Sequence, residues 1–241
     1  MLRVHSIETF GTHEGPGLRL VIFLQGCNIR CLYCHNPDLL ECKGGKMMKR
    51  KELLEIAEKQ KEYFGNDGGV TVSGGEPTLQ VKTLNKLFRS FNKRKIKTAL
   101  DTNGTIVSDD IKRLYKKTDL LLLDVKHIDE EMHKKLTGAS NKNVLEMAKY
   151  REDMGKPMWI RYVLLPGWND DEKYLRQFGE HFVDYKMIER VEVLPYHTLG
   201  VYKYKELGLE YKLANVLPPT KESLDKTQKI LSEYFANVLV K

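Results

Sequence analysis

The sequence predicts an α/β fold, a single domain over residues 1–241 arranged as a partial (β/α)₆ barrel of the TIM type. Three observations predict it. The length of 241 residues suits one barrel domain with a sizeable core. Short runs rich in Val, Ile and Leu alternate with amphipathic segments, about six times over. The apolar runs lead into unusual polar clusters, and the C-terminal ends of barrel strands are where active-site residues gather.

Taken in order, the strand candidates are Leu18–Leu24, Gly69–Ser73, Lys97–Leu100, Leu120–Val125, Met158–Leu164 and Arg190–Leu194. Their short, continuous apolar character suits strands buried on both faces, as in a parallel sheet. Helix candidates lie between them. Lys51–Phe64 carries Leu53, Leu54, Ala57 and Phe64 on a helical period, and Val81–Asn92 carries Leu84, Leu87, Phe88 and Phe91. Asp109–Lys116 carries Ile111, Leu114 and Tyr115. Asn143–Met154 carries Val144, Leu145, Met147 and Ala148. Asp171–Val183 carries Leu175, Phe178 and Phe182, and a last helix, Lys221–Tyr234, carries Leu224, Ile230 and Leu231. Gly65, Gly155 and Pro166-Gly167 punctuate the series. No repeat, low-complexity tract or long linker interrupts it. The barrel core is therefore placed at about 18–200 and a C-terminal helical segment at about 220–236. An open doubly wound sheet has the same periodicity and stays open as the alternative.

The formal net charge of +7 suits a soluble, lysine-rich surface or attraction to an acidic partner. The basic residues are spread out (Lys49, Arg50, Lys51; Lys93, Arg94, Lys95; Lys116, Lys117) and form no tract interleaved with aromatics. That argues against nucleic acid, and an acidic protein partner, such as an electron donor, fits the charge at least as well. Met1-Leu2-Arg3-Val4-His5-Ser6 contains no apolar signal core, and no apolar run is long enough to span a bilayer. The expectation is a cytoplasmic protein with reduced thiols and no membrane contact. Nothing suggests an obligate dimer, so a monomer is expected.

The strongest chemical signal is the spacing C-x₃-C-x₂-C of Cys27, Cys31 and Cys34, in Gly26-Cys27-Asn28-Ile29-Arg30-Cys31-Leu32-Tyr33-Cys34-His35-Asn36. Thiolates are the usual ligands of a [4Fe–4S] cube. Three of them in one loop would hold three irons and leave the last open to a small molecule, which implies chemistry at the cluster. A zinc site with His35 as the remaining ligand is the competing reading of the spacing. Cys42, the only other cysteine, comes eight residues after Cys34 and reads as a bystander thiol.

The other polar strand ends are Ser73-Gly74-Gly75-Glu76-Pro77, Asp101-Thr102-Asn103-Gly104, Asp124-Val125-Lys126-His127 and Pro195-Tyr196-His197, with Arg161 inside its strand. Gly74 and Gly75 permit close backbone approach to a ligand, or simply a tight turn. Asp101 and Asp124 beside a ligand carboxylate would repel it unless a cation intervenes, and Lys126 supplies one. An Asx turn and a cap are the plain structural roles for the same two residues. Arg161 as an interior ion pair and His197 as a structural histidine are the corresponding plain readings.

The cysteine loop, with Tyr33 before its last cysteine, followed by Gly74-Gly75-Glu76-Pro77, resembles the radical S-adenosylmethionine superfamily. The likeness to its glycyl-radical-enzyme activases covers essentially the whole chain. It runs through Gly11-Thr12-His13-Glu14-Gly15-Pro16-Gly17-Leu18-Arg19, Tyr33-Cys34-His35-Asn36, Asp101-Thr102-Asn103-Gly104, Trp159-Ile160-Arg161-Tyr162-Val163, Pro166-Gly167-Trp168 and Leu194-Pro195-Tyr196-His197. Glu14 departs from the pattern, which has Asp before Gly-Pro-Gly. The resemblance implies a [4Fe–4S] cluster on Cys27, Cys31 and Cys34, whose open iron is chelated by S-adenosylmethionine. It implies reductive cleavage to methionine and a 5′-deoxyadenosyl radical, and removal of a glycine Cα hydrogen. Gly74 and Gly75 would receive the methionine amino group, with Glu76 supporting the turn. Arg161 and His197 would contact the methionine and adenosine portions. Tyr33 and His35 would line the adenine site, with Asn36 as a further cofactor contact. Lys126 and a monovalent cation (Na⁺ or K⁺) near Asp101, Thr102 and Asp124 would balance the carboxylates. The implied partner is pyruvate formate-lyase (formate acetyltransferase), whose glycine loop would enter through the gap of an incomplete barrel, with Gly15-Pro16-Gly17 as the candidate edge. Reduced flavodoxin or ferredoxin is the implied electron donor. Many related activases carry extra ferredoxin-like cysteines and this chain has none, which favours this partner over other glycyl-radical enzymes. Those other enzymes, and a non-catalytic zinc-stabilised binding protein, are the alternatives.

Overall fold

The computed structural model describes residues 1–241, which divide into two compact units. The first comprises Met1–Asn28 and Leu39–Leu122, the second Ile29–Asp38 and Leu123–Lys241.

The first unit runs β1 (Leu2–Gly11), β2 (Arg19–Leu24), β3 (Lys46–Met48), α1 (Arg50–Gln60), β4 (Gly69–Gly74), α2 (Val81–Lys93), β5 (Thr98–Thr102), α3 (Asp109–Lys117) and the start of β6 (Leu120–Asp124). Its strand order is β3-β1-β2-β4-β5-β6. β2, β4 and β5 pair in parallel, with Arg19 opposite Gly69 and Val70 opposite Thr98. Leu20, Val21, Ile22 and Val72 are fully buried, as central parallel strands require. α2 lays Leu84, Leu87, Phe88 and Phe91 into the core. α3 starts where the Ser108 hydroxyl accepts the Ile111 N–H, with Asp109 and Asp110 in its first turn and Lys116 and Lys117 in its last.

The second unit carries the end of β6, then α4 (Glu130–Thr137), α5 (Lys142–Asp153), β7 (Met158–Leu164), α6 (Glu172–Phe182), β8 (Ile188–Pro195), α7 (Val201–Glu206), α8 (Lys221–Ser232) and β9 (Val238–Val240). The Val125 N–H donates to the Arg161 carbonyl at 3.0 Å, and β7, β8 and β9 follow in parallel. α4 is capped by the Asp129 carboxylate and stopped by Gly138 at φ 78°. No helix is long and apolar enough to cross a membrane.

All six expected strands form, within a few residues of their expected limits. β1 was not expected: Leu-Arg-Val-His-Ser-Ile-Glu-Thr-Phe-Gly has no continuous apolar run, because β1 pairs antiparallel on both edges and is largely exposed. β3 and β9 are three residues each, below what periodicity detects. α4 and α7 were also missed; they span eight and six residues, too short for a full amphipathic pattern.

Arg19 anchors the segment before β2. Its guanidinium, 2 % exposed, donates to Thr71 Oγ1 (2.5 Å) and to the carbonyls of Pro16 (3.1 Å) and Val70 (3.0 Å), while the Thr71 hydroxyl donates to the Glu14 carbonyl (2.6 Å). Burial lowers its pKa to about 10, against the raising influence of Asp119 and Glu14, so it stays charged at neutral pH. Gly17, at φ 66°, lies where a Cβ would stand 2.4 Å from the Gly68 nitrogen. Arg19→Ala leaves four acceptors, Thr71 Oγ1 and the carbonyls of Pro16, Asp67 and Val70, without their donor and is expected to cost about 2–4 kcal/mol, read as a lowered urea midpoint.

Candidate active site

In the first unit, the site residues are organised by Glu76, which is fully buried. Its Oε1 accepts the Thr78 N–H (2.9 Å), the Thr78 hydroxyl (2.5 Å) and the Thr102 hydroxyl (2.8 Å), and its Oε2 accepts the Asn103 N–H (2.8 Å). Burial raises its pKa, and these four donors oppose that shift. Glu76 thereby joins the end of β4 to the end of β5. From there Asn103 Nδ2 donates to Asn28 Oδ1 (3.0 Å) and stands 4.0 Å from Cys27 Sγ. Asn28 Nδ2 in turn donates to Thr105 Oγ1 (2.7 Å). The Cys27 N–H donates to the Leu40 carbonyl (3.1 Å). Asp101 Oδ2 accepts the Ser73 hydroxyl at 2.7 Å.

Gly74 and Gly75, expected to let backbone approach a ligand or to make a tight turn, lie close against protein backbone. A Cβ on Gly74 would stand 2.3 Å from the Leu24 nitrogen and oxygen, and one on Gly75 would stand 2.1 Å from the Gly26 oxygen. The Gly75 and Glu76 N–H groups donate to the Leu24 and Gly26 carbonyls. The glycines thus seat β4 against the residue that precedes Cys27.

In the second unit, the rest of the cysteine loop is held from two sides. The Arg30 and Leu32 N–H groups donate to the Thr137 and Leu136 carbonyls at the end of α4 (2.8 and 2.9 Å). α7 supplies the other side: the Tyr204 hydroxyl donates to the Cys34 carbonyl (3.0 Å), and Lys203 Nζ to Asn36 Oδ1 (2.9 Å) and Asp38 (3.0 Å). The His35 and His197 rings stack with centroids 3.7 Å apart, and His35 Nε2 lies 3.0 Å from the His197 carbonyl. Burial lowers the pKa of both histidines, which keeps them neutral at pH 7.

Lys126 Nζ lies 2.7 Å from Asp124 Oδ2 and 5.8 Å from the centre of the Tyr33 ring. Burial pulls its pKa down, but Asp124, Tyr33 and Cys31 together hold the ammonium well above the ordinary lysine range. Burial raises the Tyr33 phenol strongly, and its hydroxyl is buried without a hydrogen-bond partner. Arg161 donates to Glu192 Oε2 (3.1 Å), a fully buried carboxylate that also meets Lys241 (3.0 Å). Arg161 therefore makes the interior ion pair that its sequence position allowed. Asn28, Asn103, Lys203, Tyr204 and Glu192 were missed by sequence reasoning. Asn103 lies inside a motif that was singled out, while Lys203 and Tyr204 follow the last motif and carry no signal of their own.

The donor set fits an iron–sulfur cluster. Cys27, Cys31 and Cys34 are free thiols, half-buried, and engaged in no disulfide. Burial pushes the Cys34 thiol up, while the Asn36 N–H and the Lys126 and Lys203 ammoniums favour its thiolate. No three His, Cys, Asp or Glu side chains converge on one point closely enough to hold a single ion. A zinc site needs that convergence, at about 2.3 Å from each sulfur, whereas cube ligands bind separate irons.

Residues 21–178 match the Radical SAM superfamily, and the chain belongs to it. That membership implies a [4Fe–4S] cluster and S-adenosylmethionine. The chain is 42% identical over 240 residues to the pyruvate formate-lyase 1-activating enzyme of Escherichia coli K12, covering 98% of each. It is 43% identical to the pyruvate formate-lyase-activating enzyme of Streptococcus mutans, covering 95% of this chain and 90% of the relative. Within the superfamily it falls in the pyruvate formate-lyase-activating enzyme family. Among solved structures, a domain of a pyruvate-formate lyase-activating enzyme from Bacteroides vulgatus aligns with a TM-score of 0.62 at 24% identity, over 72% of this chain and 99% of that one. Streptococcus suis SuiB bound to S-adenosylmethionine aligns at 0.71 and 22%, over 93% of this chain and 50% of that one. At these identities the two structures share the fold.

Proposed function

We propose that this chain is the activase that installs a glycyl radical on pyruvate formate-lyase. The observation that carries the reading is the free thiol triplet Cys27, Cys31 and Cys34 at C-x₃-C-x₂-C spacing. The near full-length likeness to activating enzymes supports the choice of substrate. The chemistry a cluster supplies when bound is one electron to the sulfonium of S-adenosylmethionine, whose C5′–S bond breaks to give methionine and a 5′-deoxyadenosyl radical.

The chain's own residues bind, orient and shield. Cys27, Cys31 and Cys34 would hold the cluster. The β4 end, Gly74-Gly75-Glu76, would present backbone to the methionine portion, with Glu76 as a positioning residue that never leaves its four donors. Lys126 would hold Asp124 neutralised as a pair beside the anionic end of the ligand. Tyr33, His35, Asn36 and His197 would line the nucleoside side, and the neutral, stacked imidazoles offer a flat surface there without adding charge. Arg161 and Asp101 complete the proposed set. The Na⁺ or K⁺ near Asp101, Thr102 and Asp124 rests on resemblance alone, since Lys126 already pairs with Asp124 and the Thr102 hydroxyl donates to Glu76. The substrate position is a backbone glycine, where the radical is delocalised between flanking amides and no side chain crowds it. A single-domain, monomeric, cytoplasmic protein reduced by flavodoxin or ferredoxin completes the reading.

The test mixes anaerobically reconstituted protein, a reductant, S-adenosylmethionine and purified pyruvate formate-lyase. The expected result is a glycyl doublet in the EPR spectrum. Silence there, with a strong doublet on another glycyl-radical enzyme such as a diol dehydratase, transfers the assignment to that substrate.

A further inference from the structure

Helix α2 differs in charge from other helices of the chain. On α1, α4, α5 and α6 opposite charges sit one turn apart: Lys51 with Glu55, Lys134 with Glu130, Lys149 with Asp153 and Arg176 with Glu172. Such pairs stabilise an exposed helix, and like charges at the same spacing destabilise it. α2 contains no Asp or Glu. Its exposed Lys82, Lys86, Arg89 and Lys93 recur at steps of four, three and four residues, which places them on one face, opposite Leu84, Leu87, Phe88 and Phe91. A face that merely needed solvation would do better with mixed signs.

Along this stripe only Lys82 has a carboxylate near it, that of Asp110. Glu58 is engaged by Arg94 and Asp110 by Arg113, and Lys86, Arg89 and Lys93 have no carboxylate against them. Grooves of about 380 and 620 Å³ flank the helix. The first adds Arg113 and Lys117 to the cations and holds one acid, Asp110; the second adds Arg50, Lys51 and Arg94 and holds none. Lys117 is pushed below the ordinary lysine range, first by burial and then by Arg89 and Arg113, with Asp110 opposing them. α2 exposes no large apolar side chain.

The stripe also starts beside the cysteine loop. α2 follows directly on the turn Pro77–Gln80, and Leu79 Cδ1 lies 3.7 Å from where a Cβ on Gly26 would stand, one residue before Cys27. Lys82 follows Leu79 by three residues, less than one helical turn. On the activase reading, on which this inference rests, an electron must reach a cluster held by that loop. We propose that Lys82, Lys86, Arg89 and Lys93 form the docking ridge for the acidic electron-transfer protein that reduces this chain. Redox proteins meet through small, transient contacts steered by charge, and a ridge of cations without apolar anchors gives fast capture and easy release. A substrate protein that must hand over a buried glycine loop needs a longer-lived contact than such a ridge provides.

The test compares the parent with Lys86→Glu/Arg89→Glu/Lys93→Glu, using purified flavodoxin as the probe. Calorimetry at low ionic strength is expected to show binding of oxidised flavodoxin weakened about tenfold or more in the variant. The parent's affinity should fall steeply with added salt and the variant's should not. Bleaching of the cluster absorption by reduced flavodoxin should slow by about tenfold, while bleaching by dithionite stays at the parental rate. Lys221→Glu/Lys229→Glu, a charge reversal on α8, should bind flavodoxin like the parent, which separates the ridge from net charge. Should the triple reversal fail to fold, Lys86→Gln/Arg89→Gln carries the same comparison. Unchanged flavodoxin binding in a folded variant overturns the proposal, as does an equal loss in the α8 control. A variant that loses affinity for pyruvate formate-lyase or RNA but keeps it for flavodoxin overturns it too. The activase reading fails separately, if dithionite-reduced parent protein yields no glycyl radical.

Discussion

Replacing Cys27, Cys31 or Cys34 with alanine is expected to abolish both the cluster and glycyl-radical formation, while Cys42→Ala keeps both. Each of the three thiolates would hold its own iron of a cube, so removing one leaves two protein ligands, too few to retain about four irons through purification. The Cys42 comparison is a demanding one. Its thiol is exposed, and its Sγ lies 3.0 Å from where a Cβ on Gly26 would stand, so a spare sulfur is present at the loop's edge. Iron and sulfide analysis of air-free preparations reads the outcome, together with the EPR signal of the reduced protein. Equal iron loss in the Cys42 variant would give that residue a ligand's role and leave no open corner for S-adenosylmethionine.

The second large effect is expected at Glu76, through its surroundings. Each carboxylate oxygen faces a backbone N–H that cannot turn away: Thr78 on Oε1 and Asn103 on Oε2. Glu76→Gln therefore sets an amide NH₂ against one of these donors whichever way it is flipped. The threonine hydroxyls of residues 78 and 102 can rotate, but the two main-chain groups remain. The expected cost is about 2–4 kcal/mol of stability, since a buried donor loses its acceptor and a repulsive contact replaces it. Glu76→Ala should cost at least as much, because four donors then lose their acceptors in a site with no exposure. Urea unfolding of the cluster-free protein measures the stability. Calorimetric titration with S-adenosylmethionine after reconstitution should show weaker binding, as the ends of β4 and β5 come apart. Parental stability in Glu76→Gln would mean that the carboxylate network does not hold these two strand ends together.

Much of the fold was legible because parallel strands buried on both faces leave continuous apolar runs, as in Arg-Leu-Val-Ile-Phe-Leu of β2 and Leu-Leu-Leu-Leu-Asp of β6. β1 was invisible for the opposite reason. It is held by backbone pairing to β2 and β3, and its side chains are mostly exposed, so nothing in its composition marks it. The proposed site was legible wherever a residue sits inside a spaced motif. The plain reading of Arg161 as an ion-pair residue, left open by the sequence, is met by its bond to Glu192. Nothing local indicated that Lys203 and Tyr204 would brace Asn36, Asp38 and Cys34, since more than 160 residues separate the partners.

By itself the sequence determined the chemistry on offer: three thiols at cluster spacing with no fourth beside them, polar strand ends, and a chain rich enough in short apolar runs to build a parallel α/β core. Spacing along the chain suffices for that, because ligands within one loop and strands with one period are local properties. Only the tertiary structure decided which groups are spoken for. It made Glu76, expected to support its turn, the buried acceptor of four donors, set Gly74 and Gly75 against protein backbone, stacked His35 on His197, and left Lys86, Arg89 and Lys93 without an ion-pair partner. Hydrogen bonds and charge balance depend on neighbours brought together by folding, and burial sets what each such contact is worth.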